Sequence, residues 1–311
     1  MEYATETSQP VKLGIGSFGL VFTIQGGPIA FKEIIQNCRP KAEILRREFQ
    51  TFQVIYNTCR EGAFFALPRP FALTDPDAVE DQFLAADVGE MEPSPTQQRR
   101  PLVSQRFMSI FSTPTYAMDR VFALPIDVAA FVAQSFFPPN LQGSVARLSI
   151  CRLYFGKDYQ AAPPSRFFNT ENFPLDAARY TAVHEEFPAL SRPVKEVARG
   201  MGEMLARKHF RAGVDARDVE FVLGSCGDSR LSYTTIDFDQ VRAWPRGNDV
   251  SQLVSAFFDN DPYFSRPVPG AGLYTQFKEG YLDDCSLEDR TFGVKFIEAI
   301  EEEESRRAAC R

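Results

Sequence analysis

Near the start of the chain, apolar residues alternate with small and polar ones, and glycines interrupt the alternation. From Val11 the sequence runs Leu13-Gly-Ile-Gly-Ser-Phe-Gly-Leu-Val-Phe22, then Gly26-Gly27-Pro28, then Ile29-Ala-Phe-Lys32-Glu-Ile34. This predicts strand, Gly-rich turn, strand, hairpin turn, strand, with Gly14, Gly16 and Gly19 letting the backbone approach a ligand. The period then changes. Between Pro40 and Tyr56, the residues Ile44, Leu45, Phe49, Phe52 and Ile55 recur at helical spacing and predict an amphipathic helix that carries Glu48. Residues 59 to 100 are rich in proline and acids and read as irregular strands and an exposed loop. Phe83-Leu84-Ala85-Ala86 and Leu102 to Ile110 are the strand cores expected there, and Tyr116 to Pro125 the connection to a second, larger lobe.

Further on, Leu148 to Phe155 predicts a strand. Arg192-Pro193 opens a helix with Val194, Val197, Met201, Met204 and Leu205 on one stripe. That helix leads to two short strands. Alternation places Val219, Phe221 and Leu223 on one side, with Asp218, Glu220 and Val222 on the other; Asp237 and Asp239 likewise share a face opposite Ile236 and Phe238. The Gly- and Asp-rich stretch Ser225 to Ser229 should turn the chain back, so that the strands pair and their acidic faces converge. Carboxylates gathered in this way repel one another unless a cation is present, so the site should want a metal, a lysine or a cationic ligand. Asp284 and Glu288 lie one helical turn apart and read as an exposed pair. A last helix is expected around Phe292, Phe296 and Ile300, and its acid run Glu301 to Glu304 reads as a solvated face.

With 311 residues, 44% of them hydrophobic, the chain can bury a large core and is long enough for two lobes. We expect an untethered stretch over residues 1–10, an N-lobe over 11–120 and a C-lobe over 121–311. No apolar run approaches the roughly 18 residues of a membrane span, and the N-terminus lacks a secretion signal, so the expectation is a cytoplasmic protein with no membrane partner. Six cysteines occur without a CxxC pair, alongside two histidines, His184 and His209. That spacing suggests neither a zinc module nor a disulfide framework. The net charge of −7 argues against bulk capture of nucleic acid, DNA included, and leaves Arg46-Arg47, Arg99-Arg100 and Arg207-Lys208-Arg211 as local basic patches. Ser17 and Cys226 are possible nucleophiles, but neither has a histidine nearby in sequence.

Lys32 follows Gly19 in an IAFK context, Val21 stands two residues after the third glycine, and Glu48 sits on the following helix. With these features the chain resembles the protein-kinase and aminoglycoside-phosphotransferase superfamily. The resemblance implies a kinase-like two-lobed α+β fold, with a cleft between a small β-rich N-lobe and a larger, mainly helical C-lobe. In that pattern Asp215 matches the catalytic aspartate, Glu220 stands where a metal-holding asparagine is expected, and Asp237 matches the later metal-binding aspartate. Asp239 replaces a glycine. The usual histidine is absent, since Gly213 is there instead and His209 lies upstream. These departures speak against ordinary ATP-dependent transfer.

A second resemblance rests on Asp218 to Gly224 (DVEFVLG), the upstream MGEMLARKHFRAGVD and the IDFD turn. These are similar to a fungal family of unknown-function proteins with a zinc-finger-like label, and we read the similarity over most of residues 10 to 300 and the label as misleading. Some members of that family are arginine-containing cyclodipeptide synthases. The resemblance implies arginyl-tRNA and a second aminoacyl-tRNA as partners, a cyclo-Arg-Xaa diketopiperazine as product, a place in secondary metabolism and no required cofactor, with magnesium optional. Aminoacyl-tRNA is already an activated ester. Peptide formation then needs two ends held close, a deprotonated α-amine and a stabilised oxyanion. A guanidinium prefers bidentate carboxylate partners, which an acidic hairpin offers. The expected catalytic residues are Asp215, Asp218, Glu220 and Asp237; the expected substrate-binding residues are Lys32, Glu48, Asp239, Gly14, Gly16 and Gly19. The alternatives are an ATP- and magnesium-dependent small-molecule kinase, and a pseudoenzyme that binds a basic partner. A further alternative is a purely structural network of the acids with Arg217, Arg230 and Arg242.

Overall fold

In the computed structural model, the described residues are 10–16, 18–24, 27–88, 103–142, 148–159, 172–247, 249–260 and 262–310. The expected untethered terminus before residue 10, Ser17, Leu102 and the Arg99-Arg100 pair lie outside them. The chain forms two compact units, one made of Met1–Asn57 with Pro68–Arg120, the other of Thr58–Leu67 with Val121–Arg311. Two sheets and, among the described residues, eight helices make it a mixed α+β protein. No described helix is long and apolar enough to cross a membrane.

In the first unit, β1 (Pro10–Ile15), β2 (Gly19–Ile24), β3 (Ile29–Ile34), β4 (Pro70–Thr74), β5 (Phe83–Ala85) and β6 (Thr115–Asp119) form one sheet in the order β1-β2-β3-β6-β4-β5. Every neighbouring pair is antiparallel. Alternation along β3 sorts its side chains. Phe31, paired with Ala117, packs with Phe22, Ala72 and Met108 on one face, which puts Lys32 and its register partner Tyr116 on the other. Helix α1 (Arg39–Cys59) buries Leu45, Phe49, Phe52 and Ile55, and Phe49 meets the Tyr116 ring at 5.8 Å.

Two expectations change here. The stretch ending at Ile110 contains a short helix α2 (Gln105–Met108), capped by the Ser104 hydroxyl accepting from the Phe107 amide, rather than a strand. The start of the expected connection at Tyr116 is instead strand β6, in the middle of the sheet. A central strand is covered on both faces, so Tyr116 and Ala117 are both buried and the alternation that marks a strand is lost.

The second unit holds β7 (Ile150–Leu153), β8 (Asn172–Leu175), β9 (Glu220–Ser225) and β10 (Leu231–Ile236) in the order β10-β9-β7-β8. Its helices are α3 (Ile126–Phe136), α4 (Ala177–Glu186), α5 (Val194–Phe210), α6 (Ser251–Asp259), α7 (Gly272–Asp283) and α8 (Arg290–Ala309). The segment 58–67 joins this unit by backbone bonds from the Ala66 amide to the Tyr233 carbonyl and from the Thr235 amide to the Ala66 carbonyl. The β9 and β10 strands pair antiparallel with Glu220 opposite Ile236, as their flanking turn residues suggest. Their faces are not sorted into apolar and acidic. Phe221, Val222 and Leu223 are all buried, and the acids other than Glu220 lie beyond the strand ends.

Helix α5 runs through the interior, and twelve of its residues are buried. Its basic last turn is therefore no surface patch. Arg207 is buried and bonds the Cys59 carbonyl, with Glu203 and Asp284 as ionic partners. Asp284 also pairs with Arg211 at 2.6 Å instead of standing exposed beside Glu288. Where α5 crosses α7, the backbones touch. A methyl group on Gly202 would collide with the Phe277 carbonyl, and one on Gly280 with the Arg199 carbonyl. Overpacking of a rigid contact costs about 1–3 kcal/mol and sometimes more. Gly202→Ala should lower stability by at least roughly 3 kcal/mol, measured as a fall in the urea midpoint, whereas Gly272→Ala, which meets nothing within 4 Å, should leave it nearly unchanged.

Candidate functional site

In the first unit a buried lysine is held in a fixed position. Lys32 is 7% exposed and its Nζ lies 2.7 Å from Glu48 Oε1, which also accepts from the Tyr116 hydroxyl at 2.9 Å. The strand supplies the lysine, the helix supplies the carboxylate, and the sheet register supplies the tyrosine. Phe18, in the glycine turn, places its ring centroid 5.7 Å from the same Nζ. The turn closes by a bond from the Gly16 amide to the Gly19 carbonyl. Only Gly19 is required sterically, because a Cβ there would press on the Glu33 carbonyl at 2.8 Å; Gly14 and Gly16 have open space beside them.

In the second unit, the acids fall into two sets. Asp215 is buried and saturated. Its oxygens accept from the Arg217 and Arg242 amides at 3.1 and 3.0 Å, from Arg242 Nε at 2.6 Å and from Gln252 Nε2 at 3.0 Å. This ties the turn after α5 to the segment before α6. Of the three arginines expected in a structural network, Arg242 is the one that takes this part; Arg230 pairs with Asp228 in the β9–β10 turn.

The remaining acids cluster in sequence at the open end of β9–β10. Glu220 is forked by Arg152, with Nη2 at 2.5 Å and Nε at 3.2 Å, and Arg152 also reaches the Tyr154 hydroxyl. Burial weighs against the Arg152 charge, but Glu220, Tyr263 and Tyr154 outweigh it and raise the pKa. Asp218 and Asp237 both adopt left-handed backbone, with φ of 60° and 64°, and so does Ala216 at 53°. Such conformations are uncommon outside glycine and are held in place by surrounding contacts. Asn260 provides two of these contacts. Its side chain accepts from the Asp218 amide and donates to the Ala216 carbonyl at 3.1 Å. Gln240 donates to the Asp218 carboxylate. Asp237 follows β10 directly, and Asp239 lies two residues on, half-buried.

Arg152, Gln252 and Asn260 escape a reading of the motifs alone. Arg152 left one signal, a lone charge inside the apolar strand ICRLYF, which requires a buried partner. The two amides left none.

A second lysine lies under this site. Lys208 is fully buried, donates to the Thr235 hydroxyl at 2.7 Å and has the Phe221 ring centroid at 4.8 Å. Burial pushes its pKa down to about 7. Neighbouring His209 is driven to about 3 by burial first and by Lys208 second. Among the described residues, no group of three or more His, Cys, Asp or Glu side chains is placed to share a metal ion.

Among known families, DUF3669, described as "Zinc finger protein", matches residues 235–287, under a fifth of the chain. No curated protein matches. This corrects the family resemblance given above. The match does not extend over residues 10 to 300, nothing in it points to cyclodipeptide synthases, and it gives no ground for treating the zinc-finger description as misplaced.

Two measurements follow from the buried charges. Between pH 7 and the ordinary lysine range, the unfolded chain binds a proton that folded Lys208 does not, so its contribution makes stability rise with pH there and level off below about 7. Lys208→Met should remove that rise and stabilise the protein at neutral pH by a few kcal/mol, on the order of 1.4 kcal/mol per pH unit of window lost, measured by urea unfolding at several pH values. Asp215→Ala should destabilise by about 3–5 kcal/mol, because it strands the Arg242 and Gln252 donors.

Proposed function

We propose that this chain is a tRNA-dependent enzyme that condenses arginyl-tRNA with a second aminoacyl-tRNA to a cyclo-Arg-Xaa diketopiperazine. The observation that carries the reading is the acidic end of β9–β10, where Asp218 and Asp237 stand in constrained backbone and Glu220 already takes a guanidinium in a two-pronged grip. Carboxylates in this arrangement suit an arginine side chain, which is planar and permanently charged.

The chemistry fits an acyl donor better than a nucleotide. At the two positions where a phosphotransferase keeps a base and a metal-holding amide, Asp215 is tied to Arg242 and Glu220 to Arg152. An aminoacyl ester needs neither a metal nor a triphosphate. The α-amine of one aminoacyl group attacks the ester carbonyl of the other, a C–N bond forms, and the tRNA ribose hydroxyl leaves with the proton the amine gives up. The second amine then attacks the remaining ester and closes the ring, releasing the second tRNA. In this scheme Asp218 or Asp237 takes the ammonium proton, and a neighbouring carboxylate holds the guanidinium.

One observation favours a second reading. The Lys32–Glu48 pair, between a strand and the following helix, is the arrangement that positions phosphates in ATP-dependent phosphotransferases. A magnesium-dependent rise in melting temperature with ATP would support that class.

The test of the main reading is expression in a bacterial host, followed by mass spectrometry for new diketopiperazines that bear a guanidino group. The expected result is such a product, abolished by ribonuclease in extracts and reduced at least about tenfold in Asp218→Asn and Asp237→Asn, on the scale of general-base loss, with melting temperature retained. A soluble, folded protein that yields no such product with both aminoacyl-tRNAs supplied would overturn it.

A further inference from the structure

Where α6 ends, the second unit has a recess of about 170 Å3 lined by Lys157, Phe257, Phe258, Asn260, Phe264 and Arg266, among others. Its floor is aromatic. Phe257 and Phe264 stack at 5.0 Å and are almost wholly buried, and Phe258 meets Phe257 edge-on at 5.2 Å. Its rim is cationic. The Lys157 ammonium makes no hydrogen bond or ion pair among the described residues. Arg266 spends its Nε on the Gly156 carbonyl at 3.1 Å and, among the described residues, has Glu304 as its ionic partner at 3.9 Å.

The recess is joined to the acidic end of β9–β10. Asn260 lines it, and the same side chain holds the Asp218 amide and the Ala216 carbonyl. A molecule seated here touches the residue that sets the Asp218 turn.

Size and polarity narrow the ligand. The volume lies below the roughly 300–1,000 Å3 of a pocket for a drug-sized molecule, so the recess admits one ring, while an acidic group attached to that ring stays at the rim. An aromatic floor with positive charge at the rim suits a base and its phosphate. A chain of net charge −7 repels nucleic acid at long range, so an RNA end has to be captured at a local site of opposite sign.

We infer that this recess receives the 3′-terminal nucleotide of the aminoacyl-tRNA, with the base against Phe258 and the phosphodiester on Lys157 and Arg266. The inference rests on the tRNA-dependent reading and adds the place where the RNA is held. Asn260 then acts as a positioning residue that connects the bound RNA end to Asp218.

The test is fluorescence anisotropy of a labelled CCA trinucleotide with the whole protein at low salt. Wild-type protein should bind, and the affinity should fall with added salt. Lys157→Glu and Arg266→Ala should each weaken binding about tenfold, and Phe258→Ala several-fold. Lys157→Glu disturbs no described contact, so its melting temperature should stay at the wild-type value even if Arg266→Ala proves unstable. Absence of wild-type binding, or equal affinity in wild type and Lys157→Glu, overturns the inference. The two proposals fail separately. Recess-dependent binding without any diketopiperazine leaves the nucleotide site standing and removes the reaction, whereas full product from Lys157→Glu with unchanged trinucleotide affinity removes the site and leaves the reaction.

Discussion

The buried Asp215 carboxylate organises the second unit around it. Four N–H donors converge on its two oxygens, from the Arg217 and Arg242 amides, the Arg242 guanidinium and the Gln252 amide. A carboxylate taken out of water is tolerable only when its lone pairs are filled in this way. Once they are filled, the chain from Gly213 to Val219 has little freedom left. It passes through left-handed positions at Ala216 and Asp218, with Asn260 holding the intervening peptides from the other side. The acidic end of β9–β10 is thus a by-product of a structural anchor one turn earlier.

That arrangement separates two roles that the sequence merges. Asp215, Asp218, Glu220 and Asp237 look alike on paper. Folded, one is an internal tether, one is held by a neighbouring arginine, and two sit in strained backbone at the strand ends. The strain is a better pointer to chemistry than the charge, because surrounding contacts keep it in place at some expense of stability.

Much of the fold could be read from periodicity. The glycine-punctuated strands β1 to β3, helix α1 with its stripe of Leu45, Phe49 and Phe52, helix α5 and the β9–β10 pair all follow from local spacing. Strand β6 did not, because a strand covered on both faces shows no alternation. The short helix α2 also went unread, since four residues make too little pattern for a period to emerge. In the site, Lys32 and Glu48 were legible because a strand and the helix after it are close in sequence. The partners of the acids were not. Arg152 lies 68 positions from Glu220 and Asn260 lies 42 from Asp218, and such pairings are products of tertiary packing that no local motif encodes. The basic stretch Arg207-Lys208 misled for the opposite reason. It looks like a surface patch until the helix that carries it turns out to run through the interior.

The glycines at the α5–α7 crossing set a limit of a different kind. Where main chains rest directly on one another, no side chain is present to absorb change, so neither partner can be repacked by trading one residue for a slightly larger one. Over many generations the outer faces of these helices are at liberty to vary, while Gly202 and Gly280 are confined to a single option.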